Sequence, residues 1–155
     1  MRNIEHKQMR IGEESIAEIE FDLRSRDEIP KLLKGLQHIY CTPELKDKVF
    51  KAIEGIAPEG KDKNNGRPGM SLWKILVLGT LRLNCNWDYD KLREIANEHK
   101  TLRRMLQHSE YDEYRYPLQT LKDNVSLLTP RALEEINTIV VNEGHRLIGK
   151  KKLKT

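Results

Sequence analysis

A helix that is apolar on nearly every side is stable in water only when other helices surround it. Residues 70–83, MSLWKILVLGTLRL, specify such a helix. Ser71 is placed to cap its first turn. Leu72, Ile75, Leu76 and Leu83 form one side, and Trp73, Val77 and Leu81 another. Lys74 and Arg82 interrupt the stretch, and it is shorter than the roughly 20 apolar residues that cross a bilayer. It therefore reads as the buried centre of a helical domain. Gly79 in its middle costs about 1 kcal/mol relative to alanine, which suggests close approach of a neighbouring helix. Trp73 and Trp87 fit a core better than a base-stacking platform.

The remaining periodicity is also helical. Asp27 is a candidate N-cap for a stripe of Ile29, Leu32, Leu33, Leu36 and Ile39. Thr42-Pro43 restarts a helix whose buried face is Leu45, Val49, Ile53 and Ile56, with Gly55 and Pro58 ending it. Asp88 opens a helix with Leu92, Ile95 and Ala96 inward. Thr101 caps a short one carrying Leu102, Met105 and Leu106. Pro117 starts another with Leu118, Leu121, Val125 and Leu128, and Thr129-Pro130 starts the last, using Leu133, Ile136, Val140 and Leu147. Only Ser15–Leu23 departs from this pattern. Ile19, Phe21 and Leu23 alternate with Glu20 and Asp22, a short strand signal. A lone strand needs a partner for its backbone groups, here another chain, an absent domain or an unplaced turn. The fold class is mainly α: a multi-helix bundle with a helix-turn-helix-like pair and one short N-terminal strand.

The 155 residues carry a formal charge of +4, with 37% hydrophobic and 34% charged side chains. That suits one domain, or one domain with an N-terminal appendage, with a real core, and leaves nucleic-acid binding to be decided by local clustering. Cys41 and Cys85 stand apart without a CxxC pair, and no N-terminal apolar leader is visible, so a reducing cytosol is expected. His6, His38, His99, His108 and His145 are scattered. No zinc-type spacing, phosphate loop or nucleophile motif is present, so no catalytic residue, metal or cofactor is assigned. Asp90, Glu94 and Glu98 share a helix face and fit a solvated row balanced by Lys91 and Arg93 better than a cation site.

Binding signals are stronger. With its leucines buried, the Pro117–Leu128 helix turns Gln119, Thr120, Lys122, Asp123 and Ser126 outward, with Asn124 near the edge. Gln and Asn bond bidentately to adenine edges, Thr touches a thymine methyl, and Lys reaches phosphate or guanine. An ordinary polar surface is the competing explanation, and Asp123 opposes phosphate. Arg103 and Arg104 on the preceding short helix suit the DNA backbone or a surface salt bridge. Arg67, in a Gly-Arg-Pro-Gly turn, suits phosphate or a carbonyl cap. Lys150, Lys151 and Lys152 offer salt-sensitive attraction to a polyanion, or act as a solubilising end or the start of a truncated linker. Tyr111, Tyr114 and Tyr116 lie among Glu110, Asp112 and Glu113, which favours packing or self-association over base stacking. Residues 1–26 then form an arm with a short strand, 27–58 a helical hairpin, 59–69 a linker, 70–148 a helical DNA-binding domain and 149–155 a basic tail.

Five blocks in this order, SRDEIPKLLKGLQHIY with TPEL, GRPGMSLWKILVLGTLRLN, DYDKLREIANEHKTLRRML, YPLQTLKDNVSLLTP and the helix ending GHRLIGKKK, closely resemble the N-terminal region of bacterial insertion-sequence transposases of the DDE class, the ISNCY-type group above all. The resemblance spans about Ile19 to Lys152. It implies a helical region that recognises terminal inverted repeats in double-stranded DNA and helps assemble the transposition complex, with self or full-length transposase as a further partner. It also implies that the catalytic carboxylates lie beyond Thr155, as in a truncated frame, a decayed copy or an excised domain. The eight residues Ser109–Tyr116 between the candidate helices exceed the turn of about 3–4 residues in tight helix-turn-helix pairs.

Overall fold

The computed structural model describes residues 15–54 and 70–153, with side chains described as far as Asn142. Among the described residues, seven α-helices follow one 3₁₀ turn, Ile16–Glu18: α1 (Glu28–Cys41), α2 (Pro43–Glu54), α3 (Leu72–Cys85), α4 (Tyr89–Glu98), α5 (Lys100–Met105), α6 (Leu118–Val125) and α7 (Pro130–Leu153). No described residue is in a strand, and no described helix is long and apolar enough to cross a membrane.

Helix α3 is the hub, packed by α1, α2, α4 and α6. From Leu72 through Leu81, Lys74 is the one position that is not buried, as the all-round apolar pattern demands. Trp73 is fully buried, and its Nε1–H donates to the Met105 carbonyl at 2.7 Å. Its ring meets Tyr40 of α1 at 5.0 Å and Phe50 of α2 at 6.4 Å between centroids. Gly79 lies against Leu128, whose Cδ2 is 2.5 Å from where a Cβ would stand. The close approach comes from the turn joining α6 to α7. The residues of α1 and α2 share one apolar cluster with those of α3–α7, and α2 packs directly on α7. The stretches on either side of residues 55–69 are thus joined through one core. Helix α7 runs to Leu153, so the backbone of the expected basic tail begins as helix.

Several caps fall where expected. Asp27 accepts from Ile29 N–H, Ser71 from Lys74, Asp88 from Lys91 and Thr129 from Ala132. Two details differ. Helix α5 is capped by His99 Nδ1, which accepts from Leu102 N–H at 3.2 Å, and Thr101 lies inside it. The Thr42 hydroxyl donates back to His38 C=O at 2.8 Å, closing the end of α1. Helices α3 and α5 are followed by left-handed residues, Asn86 (φ 54°) and Gln107 (φ 67°). In both cases the next N–H reaches the carbonyl five residues back, Trp87 to Arg82 and His108 to Arg103, the pattern of a Schellman ending.

The strand expected at Ile19–Leu23 is absent. Ile16 and Ile19 are both buried, Phe21 is half-buried and Leu23 is exposed. The backbone polar groups find a partner inside the chain. The amide of Gln37, itself buried on α1, donates to the carbonyls of Ile16 at 2.8 Å, Ile19 at 2.9 Å and Ala17 at 3.4 Å. One side chain thus does what a neighbouring strand would do. Gln37→Leu keeps the volume and removes the donor, leaving buried carbonyls unpaired at about 1–3 kcal/mol. We expect amide exchange to quicken over residues 15–21 while α3 stays protected. Unchanged exchange in that segment would show that the amide does not hold it.

Candidate nucleic-acid interface

Helix α6 carries the residues that the sequence points to. Leu121 and Val125 are buried, and packing on α3 and α4 fixes that side. Gln119, Lys122, Asp123 and Ser126 are exposed on the other side, and Thr120 and Asn124 lie at the edge, half-buried. The Gln119 amide donates to Asp123 Oδ1 at 2.8 Å, one helical turn on. Asn124 has work within the fold. Its Oδ1 accepts from Met70 N–H at 3.3 Å and its Nδ2 donates to Thr120 C=O at 2.8 Å, which ties α6 to the start of α3.

The two arginines of α5 differ. Arg104 is exposed. Arg103 is half-buried, and its guanidinium donates to Tyr114 C=O at 2.7 Å, Asp112 C=O at 3.1 Å and Ala96 C=O at 3.4 Å. It braces the α5–α6 connection, with its fork turned to carbonyls in place of phosphate. Arg67 lies outside the described residues, as do the side chains of Lys150, Lys151 and Lys152.

The α5–α6 connection, residues 106–117, is a built corner. The side chain of Asn97 on α4 accepts from Tyr116 N–H at 2.6 Å and donates to Tyr116 C=O at 3.3 Å. Buried His108 bridges Asp112 Oδ2 at 2.7 Å through Nδ1 and the Tyr116 hydroxyl at 2.5 Å through Nε2. With a carboxylate beside Nδ1, the neutral ring carries its proton there and Nε2 accepts from the phenol. Tyr114 stacks on His108 at 5.8 Å between centroids. Tyr116 is buried and has no face free for a base; Tyr111 and Tyr114 are exposed. No residue-type search finds this corner, because His108, Asp112 and Tyr116 follow one another at helical spacing in a segment that is not helical.

Burial lowers the His108 pKa to about 4, helped by the charges of Lys74 and Arg103 and opposed by Asp112. Burial works to raise Asp112, but hydrogen bonds from His108 and Tyr114 N–H hold its carboxyl below the usual range. The Tyr116 phenol is pushed up, first by burial. A histidine kept neutral in the fold and free to charge when unfolded makes stability rise with pH between the two values. Between pH 6.5 and 4 the His108 contribution should fall by up to about 3 kcal/mol. Asp112 adds to the loss further down, as pH falls through its depressed pKa. Urea titrations from pH 7 to 4 check this, and His108→Gln should flatten the slope.

Beside α6, a shallow concavity is lined by Asp90, Lys91, Arg93, Glu94, Asn97, Glu98 and Arg115. Its carboxylates are paired: Glu98 with Arg115 at 2.6 Å, Glu94 with Lys91 at 3.5 Å and Asp90 with Arg93 at 3.8 Å, all well exposed. That is the solvated, balanced row anticipated for Asp90, Glu94 and Glu98. No group of three or more histidine, cysteine or acidic side chains among the described residues is arranged to hold a metal ion. The cysteines are remote from each other. Cys85 Sγ lies 3.9 Å from Glu28 Oε2 at the start of α1, and Cys41 ends that helix, ~20 Å away at 1.5 Å per residue, too far to bridge.

No protein-family model matches the chain, and no curated protein and no solved structure is similar to it at a significant level.

Proposed function

We propose that the chain is a DNA-binding and assembly domain of an insertion-sequence transposase, with α6 entering the major groove of element-end duplex and no catalytic residue of its own. The observation that carries this is the outward pair Gln119 and Lys122, continued by Ser126 at the C-cap, on a helix whose opposite side is locked in the core. An amide and an amine on one helix, with a hydroxyl at its end, are the side-chain chemistry of base and phosphate contact. The collinear transposase-like blocks support the same reading. Arg104 and the Lys150–Lys152 run add phosphate contacts, whereas Arg103 and Asn124 act through the fold.

Fluorescence anisotropy with duplexes from the inverted repeats flanking the coding frame, against random duplex, is the test. Affinity should fall with salt at a log–log slope near −0.9 per neutralised phosphate. Lys122→Ala should shrink that slope by about one contact and weaken all sequences alike. Gln119→Ala should reduce preference at one base pair by about 1–3 kcal/mol. Equal affinity for random and inverted-repeat duplex would remove the sequence-specific part of the proposal.

A second reading is a protein-interaction module that dimerises or modulates a full-length transposase. The absent strand gives it no support. Its support is the exposure of Tyr111 at 73% and Val141 at 54%, since aromatic residues are enriched at interfaces. Sedimentation over a wide concentration range decides between them: a strict monomer that shifts DNA rules out self-association as the main role.

A further inference from the structure

The hydrogen bond between Gln119 and Asp123 changes what the acidic residue on α6 means. An aspartate on a DNA-facing helix is first of all a charge that opposes phosphate. Here its Oδ1 takes one N–H of the exposed Gln119 amide at 2.8 Å. A glutamine amide on a flexible stem rotates freely and presents either its oxygen or its nitrogen to a given point. With Nε2 drawn toward Asp123, that ambiguity is removed. The amide keeps one free N–H and Oε1, one donor and one acceptor in a fixed order along the helix. Adenine offers the complement on its major-groove edge, an N6 amino donor and an N7 acceptor. Guanine offers two acceptors, N7 and O6, and a pinned amide cannot turn both N–H groups to them. Preorganisation of this kind lowers the ordering cost of the contact.

We infer that Asp123 is a positioning residue that sets base preference, holding Gln119 in the orientation that reads adenine and rejects guanine. This rests on α6 being the groove-facing helix of a DNA-binding domain. Asp123 touches no base; it acts through Gln119.

The experiment selects duplexes from a random-sequence pool with the full chain, then measures affinities for the selected duplex and for its A-to-G changes. The wild-type chain should prefer adenine at one position by roughly tenfold. Asp123→Ala should lose that preference at that position alone while binding all duplexes as tightly or slightly tighter. Asp123→Asn removes the charge and keeps an acceptor for Gln119, so it should retain the preference. In a Gln119→Ala background, Asp123→Ala should leave base preference unchanged. All these side chains are exposed, and circular dichroism checks that each variant is folded. If Asp123→Ala and Asp123→Asn both bind every duplex tighter with the adenine preference intact, Asp123 is only a repulsive charge and the inference is overturned while DNA binding stands. A wild-type chain that enriches no sequence, or retains no duplex, overturns the inference together with the readout on which it rests.

Discussion

Trp73→Ala should remove about 3–5 kcal/mol of stability, the usual range for truncating a buried aromatic. Trp73 has none of its surface exposed. It joins four elements: it sits on α3, its ring lies between Tyr40 of α1 and Phe50 of α2, and its indole N–H holds the last carbonyl of α5. Truncation therefore opens a cavity at the hub and leaves the Met105 carbonyl without its donor. Small domains have only about 5–15 kcal/mol in total, so the variant should be near the edge of folding at 25 °C. Trp73→Phe keeps a ring between Tyr40 and Phe50 and should lose less than half as much. Urea unfolding followed by far-ultraviolet circular dichroism measures both. A loss below about 1 kcal/mol in the alanine variant would mean that the hub does not depend on this side chain.

Two glycines in helices should respond to the same substitution with opposite signs. At Gly35, in α1, an added methyl meets nothing within 4 Å. Gly35→Ala should stabilise by about 0.5–1 kcal/mol through helix propensity and a less flexible unfolded chain. At Gly79 the same methyl would stand 2.5 Å from Leu128 Cδ2 and 2.9 Å from its Cβ. The Cβ contact matters more, because rotating the side chain does not move it, and Leu128 is 1% exposed with no room to retreat. Overpacking of this kind costs about 1–3 kcal/mol beyond the propensity gain, and Gly79→Leu should cost more. Leu128→Ala removes the Cδ2 clash and keeps the Cβ contact, so pairing it with Gly79→Ala should cost less than the sum of the two single changes. If Gly79→Ala were as stable as the parent, the approach of the α6–α7 turn would be looser than described.

Much of this was legible in the chain because the controlling interactions are local. Asp27, Ser71, Asp88 and Thr129 cap helices a few residues away, and the apolar stripes have the helical period. The α3 pattern indicated the central helix, and Gly79 a close approach to it, although the neighbour is the turn after α6 and not the helix expected. What failed depended on distant partners. The alternation of Ile19, Phe21 and Leu23 looked like a strand, yet the spacing of three between Ile16 and Ile19 was the one realised, once Gln37 supplied donors from α1. Thr101 was a natural cap by type, but the histidine two residues earlier took the position. In the candidate interface, exposure of Gln119 and Lys122 followed from the leucine stripe. The diversion of Arg103 to loop carbonyls and of Asn124 to Met70 did not, because both partners are set by tertiary packing.

The joint core of the hairpin and the later helices bears on how the molecule behaves when cut. Helix α2 leans on α7 and both α1 and α2 on α3, so scission between Glu54 and Met70 would leave two pieces clasped by the same apolar contacts. Each piece by itself would have lost the surface that completes it, and a recombinant half would be a sticky fragment, ill-suited to represent the intact protein.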